Sequence, residues 1–169
     1  MSTDEHKKAA AEHVGMVRVA VVVVSDHRTP TTDESGPAIS ELVERAGHAV
    51  VYRTMVRNQV GEITRSLEEG LARADCVVFS GGTGLGRHDL TVDVVKPRFD
   101  VTLPGFGELF RMLSYESIGP AAMLSRADLG VIQGRVVVLL PGSTQAARLA
   151  LEKLILPELS HMIWELRRE

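Results

Sequence analysis

"VRVAVVVVS", Val17 to Ser25, is an apolar stretch broken only by Arg18 that ends on a hydroxyl. A strand with one wet face alternates apolar and polar residues. This one does not, so it reads as a strand covered on both faces, as at the centre of a parallel sheet. Two further segments repeat the pattern, "DCVVFS" (75–80) and "GRVVVLLPGS" (134–143). Helix-type segments lie between and after them. "PAISELVERAG" (37–47) reads as a helix stopped at Gly47. "GEITRSLEEGLARA" (61–74) carries Ile63, Leu67 and Leu71 four residues apart, the spacing of one helix face. "HAVVYRTMV" (48–56) is a strand between them.

The C-terminal half is less regular. "TVDVVKPRF" (91–99) predicts a short helix stopped near Pro97, and "GFGELFRMLSYESIG" (105–119) a longer one. "RADLGVI" (126–132) predicts a strand. "STQAARLALEKLILPELSHMIWELRR" (143–168) predicts a long helix, with Ser143 as N-cap and a bend or restart at Pro157. Alternating strands and helices with short connections imply one three-layer α/β domain over residues 16–169. Its sheet is mainly parallel, with helices on both faces. The polar residues 1–15 read as a flexible N-terminal arm.

Bulk properties narrow the function classes. The chain has 169 residues, enough for a core without disulfides, and one cysteine, Cys76, in an apolar run that marks it as a buried thiol. A net charge of −3 gives no broad basic surface, so no nucleic-acid partner is expected. The apolar runs are too short to cross a membrane, and the N-terminus lacks a signal-type segment. A cytoplasmic protein with no membrane partner is expected.

In open α/β sheets, ligands bind beyond the carboxyl ends of the strands. Three strand ends therefore converge on one rim: Ser25-Asp26, "SGGTG" (Ser80, Gly81, Gly82, Thr83, Gly84) and "PGST" (Pro141, Gly142, Ser143, Thr144). The loop "SGGTGLGRHD" fails the dinucleotide fingerprint, because Arg87 stands at the third glycine. It fails the P-loop, because Arg87 and His88 replace the lysine and the hydroxyl. What survives is the physics: glycines let backbone amides close on an anion. Asp89, a few residues on, adds the carboxylate that a phosphate-bridging Mg²⁺ requires. A tight loop with a solvated aspartate is the plain alternative.

"SGGTGLGRHDLTVD", "LPGFGELFRMLSYESIGPAAMLSRADLGV" and "LLPGST" closely resemble the MoaB/MogA family of molybdenum cofactor biosynthesis proteins, with the G domain of gephyrin in the same superfamily. The likeness runs from about Val17 to about Leu159, and "GFGELFRMLSYESIG" is more similar to the MoaB branch. The resemblance implies a three-layer α/β fold and molybdopterin adenylyltransfer. In that reaction the phosphate of molybdopterin attacks the α-phosphate of Mg·ATP, giving adenylyl-molybdopterin and pyrophosphate. It also implies a homo-oligomer, trimer or hexamer, with other molybdenum cofactor enzymes as further partners.

Residue by residue, the resemblance assigns Gly81, Gly82, Thr83 and Gly84, with Ser80, to the pterin phosphate and nucleotide. It assigns Asp89 to Mg²⁺ and adenylyl transfer. Ser25 and Asp26 match the strand-one end near the nucleotide. Ser35 and Gly36 lie in "DESG", which matches a loop entering helix one, where amides would face an anion. Ser114, Ser125 and Arg126 match the pterin side, and "PGST" closes the rim.

Two departures stand out. The family usually has a second acidic residue after strand two. Here "MVRNQV" puts Asn58 there, and no Asp or Glu occurs between Tyr52 and Gly61. This departure favours a non-catalytic molybdopterin-binding or scaffolding paralogue as the alternative function. Val92 replaces a common proline, and Asp93 after it reads as a charge at a helix start, with a spare carboxylate for the site as the alternative. For Arg126 two readings stay open, a bidentate phosphate ligand or a salt bridge across a subunit contact. His27 and His88 read as surface loop residues. Trp164 and Met162 read as packing or oligomer contacts, and Phe106, Phe110, Met112 and Leu113 as core or interface.

Overall fold

The computed structural model describes residues 3–168; Met1, Ser2 and Glu169, at the ends of the expected arm and domain, lie outside them. Six strands form one sheet in the order β2-β1-β3-β6-β5-β4. They are β1 (Arg18–Val24), β2 (Ala49–Val56), β3 (Cys76–Ser80), β4 (Val101–Thr102), β5 (Asp128–Ile132) and β6 (Arg135–Leu140). The pairs β1–β2, β1–β3 and β3–β6 are parallel. The pairs β5–β6 and β4–β5 are antiparallel.

The unbroken apolar strands alternate between two cores. Val19 and Val21 point to one face of the sheet. There they meet Ile39 and Leu42 of α2 (Ser35–Arg45), Phe110 of α5 (Pro104–Ile118), Ala147 of α6 (Thr144–Ala150) and Leu159 of α7 (Leu156–Arg167). Ala20, Val22 and Val24 point to the other face. There they meet Ile63 and Leu67 of α3 (Val60–Arg73) and Val92 and Val95 of α4 (Thr91–Val95). Each such buried aliphatic side chain contributes about 1.5–3 kcal/mol relative to exposure. This is why β1 carries apolar side chains at both parities.

The chain leaves β1 for β2 on one side and then crosses back to β3 on the other. The β1/β3 gap is therefore the topological switch point, where a crevice opens. Two segments differ from the sequence expectations. Thr3–Val14, expected as part of an arm, forms the helix α1. Its alanine-rich sequence favours helix, and docking supplies the rest: Ala10 is fully buried and the His6 ring lies 6.0 Å from Trp164 of α7. Secondly, β5 and β6 form a hairpin. Gln133 (φ 51°) and Gly134 (φ 71°) make its two-residue turn, whose twist suits adjacent antiparallel strands.

The expected restart at Pro157 is present. Leu151–Ile155 winds as a π-helix between α6 and α7, and this wider turn accommodates a residue that cannot donate a backbone bond. At the opposite rim from the crevice, buried Asp75 accepts hydrogen bonds from Arg18 (3.1 and 3.2 Å) and Arg167 (3.0 Å). Burial alone would raise its pKa, but the Arg18 bonds and the two positive charges outweigh that and hold the carboxyl below its ordinary value. Cys76 is fully buried and burial pushes its thiol up to about 12, so it is an inert core residue.

Candidate functional site

A cleft of about 980 Å³ opens above the carboxyl ends of β1, β3, β6 and β2. The glycine loop forms its centre. Gly81 (φ 108°) and Gly82 (φ 66°) both take left-handed backbone conformations. A side chain at Gly81 would run into the Val24 carbonyl, and one at Gly82 into the Thr91 hydroxyl and the Asn58 amide oxygen. Thr91, fully buried at the start of α4, fastens the turn. Its hydroxyl donates to the Gly81 carbonyl (2.8 Å) and its N–H to the Gly82 carbonyl (2.9 Å). Asp89 closes the loop on itself, since its Oδ2 accepts the Gly86 N–H at 3.0 Å.

Most of the residues expected at the site line this cleft: Ser25, Asp26, Ser35, Asn58, Ser80, Gly81, Gly82, Thr83, Gly84, Asp89, Ser114, Ser125, Pro141, Gly142 and Ser143. Several are also fixed locally. The Ser25 hydroxyl accepts the Arg28 N–H (3.0 Å), the Ser80 hydroxyl donates to the Pro141 carbonyl (3.2 Å), and Ser143 caps α6. The Asp26 carboxylate accepts the Asn58 N–H at 2.9 Å, and the Asn58 amide oxygen accepts the Leu90 N–H at 3.5 Å. Asn58 thus ties the end of β2 to the glycine loop.

Three expectations are corrected. Gly36 does not line the cleft. Asp33 Oδ1 accepts the N–H groups of Ser35 (3.0 Å) and Gly36 (3.1 Å), so the chain's own carboxylate occupies the amides expected to face an external anion. Thr144 also lies off the cleft, with its hydroxyl buried inside the fold. Arg126 does not line the cleft. It pairs with Asp93 (3.0 Å) and donates to carbonyls of the glycine loop. Asp93 is therefore an ion-pair partner rather than only a helix-start charge.

Arg28 is a cleft residue that sequence reasoning missed. It sits in the aperiodic loop "DHRTPTTDESG", where no spacing singles it out. Its guanidinium donates one long hydrogen bond, to the Ser35 hydroxyl at 3.4 Å. His27 and His88 line the cleft too. The opposite wall is mainly apolar: Phe110, Leu113 and Ile118 of α5, Ala121, Ala122 and Leu124 of the following 3₁₀ turn, and Leu149 of α6, interrupted by Ser114, Glu116 and Ser117 of α5. Phe110 stacks on Phe106 within the core (5.9 Å), while Met112 is exposed. The cleft therefore sets a wall of backbone amides, hydroxyls, the carboxylates of Asp26 and Asp89 and one arginine against a mainly apolar wall that carries a third carboxylate, Glu116. Such a cleft suits a ligand with a flat organic part and phosphate groups.

Comparison with known proteins agrees with this architecture. Residues 20–161 match the family model described as "Probable molybdopterin binding domain". The chain is 44% identical to molybdenum cofactor biosynthesis protein B of Bacillus subtilis, covering 100% of this chain and 99% of that protein. It superposes on a crystal structure of a molybdenum cofactor biosynthesis protein B with a TM-score of 0.88 at 44% identity, covering 92% of this chain and 99% of the other. The tungsten cofactor synthesizing protein MoaB from Pyrococcus furiosus gives a TM-score of 0.83 at 38% identity, over 91% and 99% of the two chains.

Proposed function

This chain belongs to the molybdenum cofactor biosynthesis family, and from that premise we propose that it adenylylates molybdopterin with Mg·ATP and releases pyrophosphate. One observation carries the reading. A glycine turn with left-handed Gly81 and Gly82, and a carboxylate folded back on it, faces a mainly apolar wall across one cleft. In the reaction a phosphate oxygen of molybdopterin attacks the α-phosphorus of ATP. The bond from that phosphorus to the β-phosphate bridging oxygen breaks, and the electron pair leaves with pyrophosphate. Catalysis of this type is mostly alignment and charge stabilisation.

In this reading the amides of Gly81 to Gly84 and the Thr83 hydroxyl hold the phosphates, and Arg28 balances their charge. The apolar wall takes the pterin. The donors for Mg²⁺ are the carboxylates of Asp89 and Asp26 and the amide oxygen of Asn58. Among the described residues no group of three or more His, Cys, Asp or Glu could hold a metal alone. Two carboxylates completed by ligand phosphates fit Mg²⁺, which commonly binds in that way. When bound, it would neutralise charge on the phosphates.

Asn58 favours a second reading, a protein that binds molybdopterin without transferring the nucleotide. Turnover decides between them. Purified protein with molybdopterin, ATP and Mg²⁺ is expected to yield adenylyl-molybdopterin and pyrophosphate in a metal-dependent way. Pterin binding without product would establish the second reading and refute the first.

The oligomer is also a proposal. Leu109, Met112 and Tyr115 on α5, with Met123 beyond it, are exposed apolar residues outside the cleft that suit burial against further copies. Among the described residues no helix is long and apolar enough to cross a membrane.

A further inference from the structure

We infer that Arg126 is a positioning residue that sets the shape of the phosphate-binding turn from behind. This rests on the reading that the glycine turn receives phosphate. Arg126 lies just before β5, which runs antiparallel to β6, so its side chain reaches the same rim as the loop. Its Nε donates to the carbonyls of Gly84 (3.0 Å) and Thr83 (3.4 Å), and its Nη2 to the carbonyl of Asp89 (2.9 Å). Its Nη1 donates to both carboxylate oxygens of Asp93, each at 3.0 Å. One guanidinium therefore gathers the carbonyls of both arms of the loop, before and after the Leu85–His88 tip.

The consequence follows from peptide geometry. Within a peptide unit the C=O and the next N–H point in opposite directions. Carbonyls of Thr83, Gly84 and Asp89 turned toward Arg126 send the N–H groups of Gly84, Leu85 and Leu90 the other way. The Leu90 N–H does point across to Asn58 on the far side, and Gly84 lines the cleft. Glycine-rich backbone flips readily, and a flipped peptide would present a carbonyl oxygen where an anion must sit. Arg126 suppresses that flip without touching the ligand.

The test uses Arg126→Ala, Arg126→Lys and the control Asp93→Asn in the full chain. Binding of pyrophosphate and of Mg·ATP is measured by calorimetry, with a thermal melt of each protein. Losing charge-assisted bonds to three carbonyls predicts that Arg126→Ala weakens both ligands about tenfold or more. Asp93→Asn, which removes only an exposed charge pair, should change binding by about fivefold at most. Added methylguanidinium should restore binding to Arg126→Ala. Hydrogen exchange at the amides of residues 84–90 should be faster in that variant and slow again with the rescue. Native-like binding by Arg126→Ala would overturn the inference. So would a loss that follows the melting temperature and that methylguanidinium does not reverse. If the native protein binds neither ligand, the phosphate reading itself fails, and with it any positioning role.

Discussion

Replacing Gly82 with alanine separates two costs that glycine avoids at this turn. The first is conformational: at φ 66° an alanine pays about 1 kcal/mol for the left-handed backbone. The second is steric. The new methyl would overlap the Thr91 hydroxyl and the Asn58 amide oxygen, so Thr91 must rotate. That rotation breaks the 2.8 Å bond to the Gly81 carbonyl and strands a hydroxyl with no solvent access, a loss of about 1–3 kcal/mol. The sum is about 3 kcal/mol, which for a domain of this size lowers the melting temperature by roughly 6–12 °C. Gly47→Ala is the matched control. Gly47 has φ 84° but open space where a methyl would go, so it loses only the backbone share, about 1 kcal/mol. Thermal melts of both variants, followed by circular dichroism, give the comparison directly. If Gly82→Ala melts no lower than Gly47→Ala, the packing of Thr91 and Asn58 against the glycine turn is wrong.

Four further outcomes are expected. Asn58→Asp should raise turnover or Mg²⁺ affinity in the presence of ATP; if neither changes in titrations, Asp26 already serves as the second carboxylate. Arg28→Met should weaken Mg·ATP binding about tenfold by calorimetry, with an unchanged melt, since among the described residues its guanidinium makes one long hydrogen bond, to Ser35. Burial lowers the pKa of His48, whose Nδ1 accepts the Val17 N–H at 3.3 Å. The unfolded chain then binds the extra proton first, so stability should fall as pH drops from about 6.5 towards the folded-state value, and His48→Gln should flatten that slope in urea melts. Asp75→Asn should lower the melting temperature more than Asp93→Asn, because Asp75 is buried under Arg18 and Arg167 whereas Asp93 is largely exposed.

The parallel part of the fold was legible because burial on both faces writes itself as uninterrupted valine and leucine. Val19 to Val24 and Val136 to Leu140 are buried on both faces of the sheet, as the unbroken apolar runs between turn signals imply. The site was legible wherever it followed from strand ends, which is why Ser25, Gly81 and Pro141 fall where expected. Three things were not legible. The strand Val101–Thr102 is too short to carry a pattern. Helix formation in Thr3–Val14 depends on a docking surface around Trp164 that local sequence does not contain. Arg28 lies in a loop without periodicity, so only its three-dimensional place marks it.

Arg126 shows most clearly how local reading runs out. Its residue type suits a phosphate, and its neighbourhood in the resemblance pointed to the pterin. Its direction is decided by the hairpin. A rim made only of parallel strands presents strand carboxyl ends, which supply amides, hydroxyls and carboxylates but no support from behind. Reversing β5 through Gln133 and Gly134 delivers the start of a strand to the same rim, and with it a cation on the outer side of the glycine loop. Arg28 stands inside the cleft and Arg126 outside it. The same guanidinium chemistry is therefore disposed in opposite ways: Arg28 reaches the Ser35 hydroxyl across a long bond inside the cleft, and Arg126 is spent on three carbonyls and Asp93. Exchanging either for lysine should be informative in different ways. Lysine at position 28 keeps the charge and should retain much of the anion affinity, whereas lysine at position 126 cannot fork to both arms of the loop and should not.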